Sequence, residues 1–177
     1  MNLFKDVSVG KNPPEEINVV VEIPKGSVNK YEIDEETGAI FLDRTLYSAQ
    51  FFPFNYGFLP QTRSEDGDSL DIVLLTGPVF SGCVVKARPI GVILMEDEGG
   101  IDNKVLAVPV DKLEPRYKEI QDQKDLPDHL KKEIQEFFET YKNLEKDKWV
   151  KITGWEGKEK AMEIITKAIE KYKAESK

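Results

Sequence analysis

The sequence predicts an α+β fold, mainly β, in which many short strands form a closed or nearly closed barrel and two amphipathic helices follow. Two patterns carry the prediction. Over the first two-thirds of the chain, short apolar runs are cut off by Gly, Pro or Asp, which is the punctuation of strands. Over the last third the apolar positions recur at helical spacing. With 177 residues and 40% apolar content, the chain is long enough for one substantial core and near the usual size of one domain. A single domain over 1–177 is therefore expected.

Taken in order, Asn18 to Ile23 is rich in β-branched residues, and Ile40 to Leu42 follows a Glu36-Thr37-Gly38 turn. Lys30-Tyr31-Glu32 lies on a predicted strand, and Arg44 closes the next one. Ile72 to Leu75, Val84 to Ala87, Ile90 to Met95 and Val105 to Val110 complete the strand set. Leu130, Ile134, Phe137, Phe138, Tyr141 and Leu144 then mark a first helix, with Asp125 as its cap. Ala161, Ile164, Ile165, Ala168, Ile169 and Tyr172 mark a second, with Gly154 and Gly157 interrupting the chain before it. No repeat, low-complexity segment or dividing linker stands out.

The formal charge is -8, with the acid spread along the chain, which disfavours nucleic acid and anionic lipid as partners. Runs such as Ile72 to Leu75 fall far below the roughly 20 apolar residues of a membrane span. Met1 to Lys11 lacks the apolar region of a signal peptide, so a cytosolic location is expected. Cys83 is the single cysteine, which excludes an intrachain disulfide and a thiolate zinc cluster. His129, also alone, reads as a solvated residue in the first turn of a helix.

The densest chemical signal is Ser64-Glu65-Asp66-Gly67-Asp68-Ser69-Leu70-Asp71, directly before an apolar strand. Converging aspartates repel one another, and a hard divalent ion relieves that repulsion. Taken alone, the segment reads equally well as a solvated acidic turn. A second acidic cluster, Asp97 to Asp102, lies where apolar runs flank Gly99-Gly100, a hairpin signal. A two-residue Gly99-Gly100 loop would set Glu98 opposite Ile101 and Asp97 opposite Asp102, like charges that need neutralising. Lys104 shares a face with Asp102 and supplies part of that charge. A Ca²⁺ helix-loop-helix fails because Leu70 and Asp71 stand where it needs Asp/Asn and Gly. An aspartyl-phosphate phosphatase is rejected because Gln61 to Glu65 is polar, and no P-loop is present.

Complementary groups lie on the same β half. Lys30 and Glu32 share a strand face with Arg44 nearby, and Lys and Arg suit phosphoryl oxygens as a point charge and a planar fork respectively. Singly, each reads as a surface ion-pair partner. In Phe51-Phe52-Pro53-Phe54-Asn55-Tyr56-Gly57-Phe58 the phenylalanines read as core, whereas the Tyr56 hydroxyl needs a partner. Tyr141-Lys142, near the end of the first helix, poses the same question.

Together, Glu22-Ile23-Pro24, Lys30-Tyr31-Glu32, Asn55-Tyr56-Gly57, Asp66-Gly67-Asp68-Ser69-Leu70-Asp71, the Asp97 to Lys104 cluster and Tyr141-Lys142 resemble a family I soluble inorganic pyrophosphatase. The likeness runs from about the N-terminus to Trp155. It implies an OB-like five-stranded closed barrel with two flanking C-terminal helices. It also implies hydrolysis of pyrophosphate, several Mg²⁺ ions per site with Mn²⁺ or other divalent ions as substitutes, and a homohexamer of the prokaryotic type. By resemblance, Asp66, Asp71 and Asp102 hold the tightest metal, Asp71 bridges to a second, and Asp97 joins Asp102 in holding metals that arrive with substrate. Asp68 matches the general base. Lys30, Arg44, Tyr56, Lys104, Tyr141 and Lys142 match phosphate-binding positions, and Glu22 and Glu32 the outer metal shell. Ser69 stands where the family usually has Pro or Glu, and Phe52 where some relatives have Tyr. Two other functions remain open at this point: a non-catalytic OB-type binding module, and a metal-dependent phosphatase for other phosphate esters.

Overall fold

The computed structural model describes residues 1–175. Its strands are β1 (Ile17–Ile23), β2 (Asn29–Ile33), β3 (Ile40–Thr45), β4 (Asn55–Leu59), β5 (Leu70–Leu74), β6 (Val84–Asp97), β7 (Gly100–Ile101), β8 (Lys104–Pro109) and β9 (Val150–Gly157); the helices are α1 (Asp128–Thr140) and α2 (Lys158–Glu175). β1 pairs with β4, β4 with β5, β5 with β8, β8 with β6, and β6 returns to β1, closing a ring of five strands. Every pairing in the ring is antiparallel except β5–β8, which is parallel. β2 and β3 form a separate hairpin, and β9 extends the sheet from β6. The mainly β ring with two C-terminal helices is the architecture expected from sequence.

Alternation explains how the ring is covered. Along β5, Leu70, Ile72 and Leu74 join a buried cluster with Ala161, Ile165, Ala168 and Ile169 of α2. Val73 and Leu75 point the other way, into a cluster with Ile134, Phe137 and Phe138 of α1. The period of two along each strand thus meets the apolar stripe of a different helix on each face.

Several expectations change. Val84 to Ala87 and Ile90 to Met95 are not two strands but one, β6, whose register shifts between Pro89 and Gly91. Proline has no N–H to give the ladder, so it sits at a bulge without ending the strand. The hairpin at Gly99-Gly100 is displaced by one residue: Glu96 pairs with Ile101 and Asp97 with Gly100, so Glu98 and Gly99 make the turn. Asp97 therefore does not oppose Asp102. Asp97 Oδ1 accepts a hydrogen bond from Gly99 N at 2.8 Å, and Gly100 takes the positive φ of +119°.

Asp125 does not cap α1. Its carboxylate accepts N–H bonds from Gln121 and Asp122 (2.9 Å each) and closes a short 3₁₀ turn, while Pro127 precedes α1 with no side-chain cap. Gly154 and Gly157, expected as an interruption, lie within β9. A side chain at Gly157 would meet Asp122 Oδ2 at 2.7 Å, so the glycine marks a close approach. Leu144 lies beyond the end of α1 and is exposed, as is Phe51, whereas Phe52, Phe54 and Phe58 are buried as expected. His129 faces solvent in the first turn of α1, beside Glu133.

Within Asn55-Tyr56-Gly57, two residues are architectural. Buried Asn55 accepts from Lys25 N (3.0 Å) and Val79 N (3.1 Å) and donates to Gly77 O (2.9 Å), tying the loops after β1 and β5 to β4. A Cβ on Gly57 would lie 1.9 Å from Val20 O of the paired strand β1. Gly57→Ala is expected to destabilise the fold by at least about 2 kcal/mol, since the backbone contact cannot move without breaking the β1–β4 ladder. Thermal unfolding checks this, and an unchanged melting temperature contradicts it.

Candidate active site

Strand ends bring the chemical groups together. In the parallel β5–β8 pair, Ile72 lies beside Val105, which sets the preceding residues of the two strands, Asp71 and Lys104, side by side. Lys104 Nζ donates to Asp71 Oδ2 at 2.5 Å and also to Asp102. In the antiparallel β4–β5 pair Phe58 lies opposite Asp71 and Tyr56 opposite Val73, so Tyr56 shares Asp71's face. Tyr141, the residue that ends α1, stacks on Phe137 with centroids 5.0 Å apart.

The β2–β3 hairpin forms a second wall. Lys30 lies opposite Arg44 in register. Asp43 Oδ2 accepts from both, at 3.2 Å from Lys30 Nζ and 2.6 Å from Arg44 Nη1, and Lys30 also pairs with Glu32. Glu22, on β1, accepts the N–H of Ile33 at 2.8 Å. A third wall is the segment after α1, where Lys142 Nζ reaches Asp97 Oδ2 at 2.9 Å.

These walls enclose a cavity of about 670 Å³. Each residue singled out from the sequence lines it: Glu22, Lys30, Glu32, Arg44, Tyr56, Asp66, Asp68, Asp71, Asp97, Asp102, Lys104, Tyr141 and Lys142. Ser69 also lines it, whereas Phe52 packs in the core, 4.9 Å between centroids from Phe137. Three contributors were not found from sequence. Asp43 neutralises Lys30 and Arg44, Glu145 Oε1 accepts from Arg44 Nε at 3.2 Å, and Lys148 pairs with Glu98. Asp43 adjoins Arg44 in sequence, a weak signal; Glu145 lies 101 residues from Arg44, and no local pattern marks it.

Burial and mutual carboxylate repulsion dominate the electrostatics of the acidic side. Burial, with nearby Asp71 adding to it, pushes the Glu22 carboxyl up to about 8. Burial and the charges of Asp66 and Asp71 raise Asp68. Asp102 is raised by burial, against the pull of Lys104. Burial opposes the charge on Lys104, but Asp71 and Asp102 outweigh it and hold the ammonium protonated. Asp97 pays for burial yet is lowered on balance by Lys142 and Gly99 N. Burial raises both tyrosines, so Tyr56 and Tyr141 keep their hydroxyl protons as donors.

Among the described residues, no three carboxylates close around one point at ligating distance as the side chains stand. The donor set nevertheless fits a hard dication: the acidic side offers only carboxylate oxygens, and burial with neighbouring negative charge raises Glu22, Asp68 and Asp102, a repulsion that a bound dication relieves. Neither Cys83 nor His129 lines the cavity, so nothing there favours a softer metal.

Comparison with known proteins agrees with this chemistry. Residues 19–173 match the family model described as inorganic pyrophosphatase. The inorganic pyrophosphatase of Aquifex pyrophilus is 52% identical over 171 residues, spanning 96% of this chain and 97% of that protein. That of Saccharolobus solfataricus is 53% identical over 165 residues, spanning 93% and 96%. The crystal structure of inorganic pyrophosphatase from Thermus thermophilus superposes with a TM-score of 0.92 at 50% identity, covering 96% of this chain and 98% of that one. The chain therefore belongs to the family I soluble inorganic pyrophosphatases.

Proposed function

We propose that this protein hydrolyses inorganic pyrophosphate to two orthophosphates, using divalent cations, with Mg²⁺ foremost and several per site, and forming no phosphoenzyme. One observation carries the proposal: a single cavity sets the aspartates of the 66–71 and 97–102 segments against Lys30, Arg44, Lys104 and Lys142. A compact polyanion with bound dications satisfies both walls at once.

Asp66, Asp71 and Asp102 would hold the tightest ion, Asp97 would join them for ions that enter with substrate, and Glu22 and Glu32 would contribute outer contacts. Bound there, the dications supply a water acidic enough to attack at neutral pH and neutralise phosphate charge. Asp68 takes the proton from the attacking water, a task that its raised pKa suits. Lys30 and Arg44, held ready by Asp43 and Glu145, and Lys142, held by Asp97, bind phosphoryl oxygens as these exchange with their carboxylate partners. Tyr56 and Tyr141 donate their hydroxyl protons without adding charge. Catalysis is thus positional and electrostatic, as phosphoryl transfer requires.

We also propose that this single catalytic domain is cytosolic and assembles as a homohexamer. Exposed Ile40, Leu42 and Phe80 support association between copies, and one free cysteine suits a reducing compartment.

Phosphate release is expected from pyrophosphate with Mg²⁺, and at most weakly from ATP or a phosphomonoester; comparable rates on all three would point to a general phosphatase, and none on any to a binding module. Asp68→Asn is expected to retain metal and substrate binding while kcat falls about 10²- to 10⁴-fold, the usual worth of a positioned base; an unchanged kcat removes Asp68 from that role. Asp71→Ala should raise the Mg²⁺ concentration for half-activity far more than Asp68→Asn does, and equal titrations would contradict the assignment.

A further inference from the structure

The turn that carries Asp66 and Asp68 lacks apolar support. Glu65, Asp66, Gly67 and Asp68 are all exposed, and a side chain placed at Gly67 would meet nothing within 4 Å. Behind the turn lies a second cavity of about 300 Å³, between Asp66 and Leu70 on one side and Ile164, Lys167 and Ala168 of α2 on the other. The internal bonds Ser64 N to Asp68 O (2.7 Å) and Asp68 N to Asp66 Oδ1 (3.0 Å) shape the turn but do not place it relative to the ring.

Buried Thr62 fixes the base of the turn, its Oγ1 donating to Leu59 O (2.5 Å) and accepting from Leu70 N (3.0 Å), and beyond that base placement comes chiefly through one residue. Arg63 Nη1 donates to Gly67 O, between the two aspartates, at 2.8 Å. The same guanidinium forks onto Glu35 Oε1 (3.0 Å) and Oε2 (3.3 Å), after β2, and gives Nε to Glu175 Oε2 of α2 at 3.1 Å. It also lies 5.8 Å from the centroid of the Tyr172 ring. The backbone adds Arg63 N to Ala168 O (2.9 Å), and Lys171 Nζ reaches Ser64 O at 2.6 Å. α2 and the hairpin after β2, neither of which supplies Asp66 or Asp68, are thereby joined to the turn that does.

We propose that Arg63 is a positioning residue for hydrolysis, fixing Asp66 and Asp68 for metal binding and proton transfer by tying their turn to α2 and to Glu35. The proposal rests on the roles given above to those aspartates. Only a planar fork serves four acceptor atoms in three directions; a lysine in its place is a point charge and keeps a subset of them. Lys142 stands on another element, and Lys30 and Arg44, though on the hairpin whose turn carries Glu35, are oriented by Asp43 and not by Arg63, so substrate binding is largely spared.

In Arg63→Ala, kcat should fall, or the Mg²⁺ concentration for half-activity rise, about 10- to 100-fold, the usual range for a residue that orients metal ligands, with KM for pyrophosphate little changed. Arg63→Lys should lie between it and the parent, Glu175→Gln should shift both quantities the same way by less, and guanidinium ion should restore part of the Arg63→Ala activity. Melting temperatures without metal show each variant folded at the assay temperature; should Arg63→Ala not fold, Arg63→Lys and Glu175→Gln carry the comparison. A folded variant with the parent's kcat and Mg²⁺ dependence overturns the proposal, even if its melting temperature is lower. Asp68→Asn runs in parallel: full activity there overturns the underlying roles and this inference with them, whereas an inactive Asp68→Asn beside a parent-like Arg63→Ala overturns this inference alone.

Discussion

At the acidic end of the ring, the buried ammonium of Lys104 sits between Asp71 and Asp102, and the rest of the site depends on that contact. Burying the ammonium is costly, and two carboxylates at hydrogen-bond range offset the cost without yielding large net stability. What the arrangement secures is proximity. Carboxylates from the start of β5 and from the segment before β8 remain together because a cation lies between them. The parallel β5–β8 pairing makes this possible, since it is the one pairing in the ring that sets two strand starts side by side.

Around that centre, backbone requirements and chemical requirements occupy neighbouring residues. Tyr56 reaches the cavity, while Asn55 on one side ties loops together and Gly57 on the other admits the β1 backbone. The motif is three residues long because the chemical residue is held by two structural ones. The acidic turn differs: it projects from the ring with a cavity at its back, so its position is a matter of hydrogen bonds and ion pairs from α2 and from Glu35.

The cations of the site are likewise held by counter-charges. Asp43 and Glu145 hold Arg44, Asp43 and Glu32 hold Lys30, and Asp97 holds Lys142. Each pair is partly exposed, where such contacts are worth little in stability. Their effect is to fix direction, so that groups able to bind phosphoryl oxygens already face the cavity.

Much of this was legible in the chain itself. Apolar and β-branched runs bounded by Gly, Pro or Asp identified most strands and helical spacing identified both helices, because both signals are local properties of the sequence. The acidic segments, the basic strand positions and the polar aromatics named the residues that line the cavity, since their chemistry is anomalous wherever they stand. Tertiary structure decided the rest. β9 was missed because its glycines read as breakers, and the close approach of Asp122 that accounts for Gly157 is not local. The one-residue displacement of the hairpin at Glu98-Gly99 and the continuation of β6 past Pro89 depend on register, which the partner strand sets. Glu145, Arg63 and the pairing of Asp71 with Lys104 act across long sequence separations. Sequence by itself thus determined which groups need partners, and only the fold determined which partners they meet, because closing the ring joins residues that no local spacing relates.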